Sequence, residues 1–253
     1  MTRYALLLEY DGAAFQGWQR QSNGPSVQQV MEEAAAALNG GEPGVAVAAG
    51  RTDSGVHAWG QVATLAVRAE LPPDKLRMAL NFHLKPWPVV ARGAALAVEG
   101  WSPRFSAVQR AYRYRILNRQ TRPALDAGRV WHVPHALEAE AMNAAARTLL
   151  GRHDFTAYRA SSCQAESAVR TMEVLSVTRA GEEVVIEAEA RSFLHHQIRN
   201  LAGTLVEVGK GRRPVEWPRQ VLDSLDRAQA GQTAPPEGLC FMRVDYSEAI
   251  NWR

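Results

Sequence analysis

Apolar and polar positions along the chain fall into two successive runs of strand and helix signals. Arg3 to Tyr10 reads as a strand that stops at the turn pair Asp11-Gly12. Ser26 opens a helix, with Gln29 three residues on completing a capping box. Val27, Val30, Met31, Ala34, Ala35 and Leu38 share one face of that helix, and Asn39-Gly40-Gly41 ends it. Val45 to Ala49 is a short apolar strand, and Gln61 to Val67 alternates as another. Pro72-Pro73-Asp74 opens a second helix through roughly Leu84, with Leu76, Ala79, Leu80 and His83 or Leu84 inward, before Val89 to Val98 runs extended. The loop Gln16 to Gln21 has no amphipathic period; its Trp18 either caps a core, which spacing favours, or reaches for a polymer.

After the link Glu99 to Ser106 the same order begins again without visible sequence identity. Arg110 to Asn118 sets Tyr112, Tyr114 and Ile116 against Arg113 and Arg115, a strand with one basic face. Glu138 to Leu150 is helical through Met142, Ala145, Ala146 and Leu149. Thr171 to Arg179 and Val184 to Ser192 form a hairpin across Ala180-Gly181-Glu182, and Leu194 to Val208 is a helix. Another helix starts near Pro218, and Cys240 to Tyr246 supplies the last strand. The expectation is an α+β fold of two similar β-α-β-β-α-β halves, residues 1–105 and 106–253, with helices on one face of each sheet and a ligand cleft between the halves.

Composition narrows the class. A chain of 253 residues, 46% apolar and 22% charged, has the makeup of a soluble globular protein. No run of about 18 apolar residues occurs, and the N-terminal apolar stretch is too short and too soon charged for a signal peptide, so a cytoplasmic protein without membrane contact is expected. Cys163 and Cys240 lack the spacing of a disulfide framework or a cysteine metal site. The net charge is only +3, but Lys75, Lys85 and Lys210 are the only lysines among 29 basic residues. Such arginine bias either reflects coding preference in an Ala-rich chain or suits phosphate and base contacts in RNA.

Three stretches carry candidate chemistry. In Gly50-Arg51-Thr52-Asp53-Ser54-Gly55-Val56-His57, one carboxylate sits on a glycine-framed turn between strands, with Arg51 two residues back on its side of an extended chain, where it would keep Asp53 ionised. The competing reading is an Asp that hydrogen-bonds its own turn. Phe193 to Asn200 places His195, His196 and Arg199 at a helix start as a polar face for an anionic partner; the alternative is a metal-dependent phosphodiesterase with His195, His196, Asp53 and His57 as ligands. Adjacent histidines point to different azimuths, which disfavours the metal. Arg110 to Arg115 interleaves arginine and tyrosine, either to contact phosphate and stack a base or to face water and core respectively.

Taken in order, Glu9-Tyr-Asp-Gly12, Gly17-Trp-Gln-Arg-Gln21, Gly50 to His57, Phe105-Ser-Ala107 with Tyr112-Arg-Tyr114, His195-His-Gln-Ile-Arg-Asn200 and Glu237-Gly-Leu239 resemble the tRNA pseudouridine synthase A family over nearly the whole chain. The Arg-Thr-Asp-x-Gly-Val-His stretch is the specific one. The resemblance implies the pseudouridine synthase fold, a continuous mixed, mainly antiparallel sheet, and an isomerase acting on uridines 38, 39 and 40 of the tRNA anticodon arm. It implies no cofactor, no metal and a homodimer. By match to its motifs, Asp53 is the nucleophile, Tyr112 stacks on the target base, Arg199 pairs with the nucleophile and Arg51 helps extrude the nucleotide. Gln19, Arg20, His57, His195 and Leu239 in these stretches, with Arg110 beside Tyr112, are further expected substrate contacts. Departures from the family pattern are Ser54 for an alanine, Leu84-Lys-Pro-Trp-Pro88 for a Leu-Pro-x-Asp turn, and Gln197 for an apolar residue.

Overall fold

The computed structural model describes residues Met1–Arg253. They form two compact units, Met1–Arg110 with Phe241–Arg253, and Ala111–Cys240. The division falls a few residues after the expected one, and the end of the chain returns to the first unit rather than staying in the second. The reason is the last strand: a side chain on Gly60 would meet the Met242 carbonyl oxygen at 2.4 Å, so residues after Phe241 pack against the first unit's sheet.

The first unit follows the expected β-α-β-β-α-β order: β1 (Thr2–Tyr10), α1 (Val27–Leu38), β2 (Ala46–Ala48), β3 (His57–Val67), α2 (Pro73–His83) and β4 (Val89–Leu96). β1 is antiparallel to both β3 and β4, with Leu6 opposite Ala63 and Ala94, while β2 pairs only with β3. Tyr4, Leu6, Leu8 and Tyr10 are buried on one face of β1, whereas Arg3 is exposed and Leu7 and Glu9 are intermediate. Each such buried side chain contributes roughly 1.5–3 kcal/mol, which fixes the register, since a slip of one residue would turn the whole row to the other face.

Helix α1 begins where the sequence places it. Ser26 Oγ accepts from Gln29 N at 3.2 Å, but Gln29 Oε1 does not accept from Ser26 N in return and Gln29 Nε2 donates to Glu33 instead, so only half of the capping box forms. Glu32 is buried among the apolar residues of this helix, a feature the spacing does not announce. It is tolerated because its carboxylate accepts from Gln28 Nε2, Arg20 Nη1 and Ala46 N. In α2, Leu76, Leu80 and the following Leu84 turn inward and His83 stays exposed.

The second unit contains β5 (Ala107–Leu117), which enters it from the first, β6 (Trp131–His132), α3 (Ala139–Arg147), β7 (Gly151–Asp154), β8 (Val169–Ala180), β9 (Glu183–Ala190), α4 (Gln197–Gly209) and α5 (Trp217–Ser224); β10 (Leu239–Tyr246) leaves it. β5, β9, β8 and β7 lie side by side in that order. β7 and β9 both run antiparallel to β8, and β6 adds two residues parallel to β5. Neither β6 nor β7 is expected from the sequence, because two and four residues are too few to show a period. The β8–β9 hairpin closes through a two-residue loop, Gly181-Glu182, between the paired Ala180 and Glu183.

Two expectations about charged residues change here. The basic face of β5 does not stand open: Arg113 donates to Glu187 at 2.7 Å and Arg115 to Glu183 at 2.7 Å, both on β9, and Asp126 also accepts from Arg115. Hydrogen bonding to Glu183 holds the Arg115 guanidinium above its usual range against the opposing effect of burial. Helix α4 starts at Gln197 rather than Leu194, because His196 is left-handed at φ 62 and breaks the helical run. His195 therefore precedes the helix, and its four-residue spacing from Arg199 is not a helical one. A non-glycine residue in this region costs about 1–2 kcal/mol. The Gln197 side chain closes the entry by accepting from Leu194 N at 2.8 Å. No helix is long and apolar enough to cross a membrane.

Candidate active site

Asp53 sits half-buried at the turn between β2 and β3. What distinguishes this turn is the fate of its carbonyl groups. Ala49 O accepts from Arg110 Nε and Nη2 at 3.2 and 2.9 Å. Gly50 O accepts from Gln61 Nε2 at 2.7 Å, and Thr52 O from Trp18 N at 3.0 Å. Asp53 O accepts from Val56 N at 3.1 Å, closing the turn itself. Tyr10 Oη and Thr52 Oγ1 lie 2.8 Å apart beneath it. Each bond contributes only about 0.5–1.5 kcal/mol, but together they fix the backbone that aims the carboxylate.

The loop after β1 packs on this turn through two glycines. A Cβ on Gly12 would stand 2.1 Å from Val56 O, and one on Gly17 2.6 Å from Thr52 O. Gly17 also adopts φ +86, which a residue with a Cβ rarely takes. Between them, Gly55 N donates to Phe15 O at 3.3 Å. Trp18, expected as a core cap by its spacing, is buried with its ring 6.3 Å from that of Tyr10.

His57 closes the stretch from inside. Its Nδ1 lies 3.0 Å from Gly12 N and 3.1 Å from Asp11 Oδ1, and one nitrogen cannot both accept from the first and donate to the second. The Gly12 N–H is a fixed donor, so Nδ1 accepts from it. Asp11 Oδ1 then serves Ala13 N at 3.0 Å, capping a short 3-10 turn, Gly12–Ala14.

Of the other expected site residues in this unit, Arg51 and Gln19 are exposed, and Arg51 forms no ion pair with Asp53. Arg20 is exposed and paired with Glu32 at 3.3 Å. Arg110, expected among the substrate contacts, is only 7% exposed and bridges Ala49 O to Arg104 O. Arg110→Met would leave both carbonyls without that donor, at about 2–4 kcal/mol in all. A fall in melting temperature of about 4–16 °C by calorimetry is the expected outcome, with Arg110→Lys recovering part of it. An unchanged melting temperature would remove this arginine from the support of the turn.

In the second unit, Tyr112 is half-exposed on the β5 face that buries Tyr114 and Ile116, and its ring meets Phe193 edge-on at 5.1 Å. His195 is exposed, lies within hydrogen-bond distance of Ser162 Oγ at 3.2 Å, and its ring centroid stands 4.0 Å from that of His196 with the planes tilted by 44°. Arg199 Nε donates to Ala234 O at 2.8 Å, and Ala234 N donates back to Arg199 O at 3.0 Å. Asn200 anchors that clasp. Its Nδ2 donates to Tyr158 O, and its Oδ1 accepts from Arg227 Nη2 and Thr233 Oγ1. Leu239 is buried where β10 begins, just after the Glu237-Gly turn that covers Tyr114. Burial chiefly, helped by the Glu237 charge, pushes the Tyr114 hydroxyl far above its ordinary range, so it donates to Pro235 O and does not ionise.

Sequence reasoning misses Gln61 and Asn200 as supports of the two site segments, and reads neither Tyr10 nor Thr52 as a pair. Only fixed polar residues at buried strand and helix positions would have marked them.

A profile described as tRNA pseudouridine synthase matches residues 7–100 and 145–247. Among curated proteins, tRNA pseudouridine synthase A of Acidiphilium cryptum is 59% identical over 247 residues, 97% of this chain and 97% of that one. The enzyme of the same name from Paramagnetospirillum magneticum is 54% identical, over 98% of this chain and 96% of its own length. That of Rhodospirillum rubrum is 52% identical, over 97% and 88%. With a carboxylate on a braced glycine turn and relatives that match from end to end, this chain belongs to the tRNA pseudouridine synthase family of isomerases.

Proposed function

We propose that the protein isomerises uridine to pseudouridine at positions 38, 39 and 40 of the tRNA anticodon stem-loop, with Asp53 as nucleophile. The observation that carries this reading is the turn in which the carbonyls of residues 49, 50, 52 and 53 all accept hydrogen bonds around one partly exposed carboxylate, in a chain of this family. A carboxylate can form and release a glycosyl bond, as it does in retaining glycosidases. Attack by Asp53 at the ribose C1′ breaks the bond to uracil N1. The freed base turns, C5 bonds to C1′, and the aspartate leaves. C5 gives up its proton and N1 takes one, so the composition is conserved and no co-reactant is consumed. A glycal route would employ the same carboxylate.

In this reading Tyr112 stacks on the target uracil and takes part in removing the C5 proton, Arg199 keeps the nucleophile ionised, and Arg51 helps hold the extruded nucleotide. A stacked uridine reaches the carboxylate only by flipping out, at a few kcal/mol. The family resemblance supports a homodimer working in the cytoplasm.

The deciding experiment is incubation of unmodified tRNA with the protein, followed by carbodiimide treatment and primer extension. Stops one nucleotide before positions 38, 39 and 40 are expected, and they should persist in the presence of a chelator. Binding without stops would leave an RNA-binding module in place of an enzyme. Affinity should fall steeply with salt, log K declining by about 0.7–0.9 per log unit of salt for each phosphate contacted. A flat dependence would remove RNA as the partner.

A further inference from the structure

Trp59 breaks the burial pattern of its strand. Of the 11 residues of β3 it is the only one classed as exposed, at 50%, although it is the largest apolar side chain there. It is also fixed in place. The guanidinium of Arg92 on β4 lies 4.2 Å from the ring centroid, its Nη1 donates to Trp59 O at 2.9 Å, and its Nε lies 3.5 Å from Glu9 Oε2. Glu9 alternates with the buried Leu8 and Tyr10, so this cluster occupies the sheet face opposite the core. The guanidinium lies over one face of the indole, and half of the residue's surface stays open to solvent.

A rigid, half-exposed aromatic ring with a cation behind it is the arrangement that single-stranded nucleic acid uses: every base has a π-face, and the cation favours the phosphodiester chain. Its place in the chain suits that ligand. Trp59 follows Asp53 by six residues, which span at most about 20 Å fully extended. At about 3.4 Å per stacked nucleotide, that is the length of some six nucleotides. We propose that Trp59, backed by Arg92, is a stacking platform for a nucleobase of the bound RNA near the target uridine. The inference rests on the RNA-modifying reading above and adds to it a contact outside the catalytic turn.

The test compares Trp59→Ala and Trp59→Phe with the unaltered protein. It measures Kd for unmodified tRNA by filter binding, KM and kcat by primer extension, and the oligomeric state by sedimentation. Trp59→Ala should weaken Kd and raise KM by about 5- to 100-fold, with kcat falling by less than KM rises, and Trp59→Phe should recover most of the loss. Unchanged Kd in Trp59→Ala overturns the platform. So does an equal loss in Trp59→Phe, which would mean that the ring's stacking is not what binds. A change in sedimentation with unchanged RNA affinity would make the ring a contact with a second copy of the chain, and also overturns it. Absence of pseudouridine with the unaltered protein would overturn the proposed activity instead, a result that the Kd comparison reads separately.

Discussion

Asp53→Asn should bind unmodified tRNA with a Kd within about threefold of the unaltered protein and form no measurable pseudouridine. The substitution keeps the size and planarity of the side chain, and the hydrogen bonds to Ala49, Gly50, Thr52 and Asp53 carbonyls come from groups it does not touch. The turn should therefore survive, and so should the surface that meets RNA. What disappears is the charge. A carboxamide is a poor nucleophile and a poor leaving group, so both bond-making and release at C1′ fail. Loss of a covalent nucleophile removes at least about 10⁴-fold of rate, judged by catalytic residues acting as a unit in hydrolases. Single-turnover primer extension over hours reads that range. Activity above about one-hundredth of normal would sink the assignment of Asp53 as nucleophile, and lost binding would place the residue in RNA recognition instead.

Gly12→Ala is expected to damage stability and rate together. Its φ is ordinary, so the difficulty is space rather than conformation: the added Cβ would lie 2.1 Å from Val56 O and 2.4 Å from Val56 C, with Gly55 C at 2.9 Å. All three are backbone atoms of the segment that carries Asp53, and none can swing aside like a side-chain tip. Either the loop or the turn must move. Overpacking of this kind costs about 1–3 kcal/mol or more, which in a chain of this size lowers the melting temperature by roughly 2–12 °C. Movement also strains the bond from Gly12 N to His57 Nδ1. A displacement of about 1 Å at the reacting atom is enough for a 10²-fold loss of kcat. Calorimetry and single-turnover rates check the two parts. A stable Gly12→Ala protein with normal rate would mean that the loop and turn do not depend on their close approach.

Much of the first unit was legible because its signals are local. Helix α1 announces itself by a serine cap, a face repeating every three to four residues and a glycine stop, and β1 by its turn pair. Asp53 was legible as a carboxylate on a glycine turn. The bracing of that turn was not, because its donors lie 11 and 61 residues away in Gln61 and Arg110, and nothing local distinguishes them from ordinary strand residues. The same limit explains Arg113 and Arg115. They look like a basic surface until β9, more than sixty residues on, sets Glu187 and Glu183 against them. The start of α4 is hidden for a different reason: the apolar period continues through Leu194, and the left-handed turn at His196 leaves no mark in composition. Strands of two and four residues, β6 and β7, are set by their neighbours alone.

The bracing of residues 49 to 53 has a consequence for selectivity among RNA positions. Because the turn is already ordered by bonds from Arg110, Gln61 and Trp18, aiming the carboxylate requires no loop closure at the moment of encounter. In the proposed reaction, discrimination between uridines would then rest on how readily each leaves its stack, a position flanked by weakly stacking pyrimidines presenting a lower barrier than one wedged between purines.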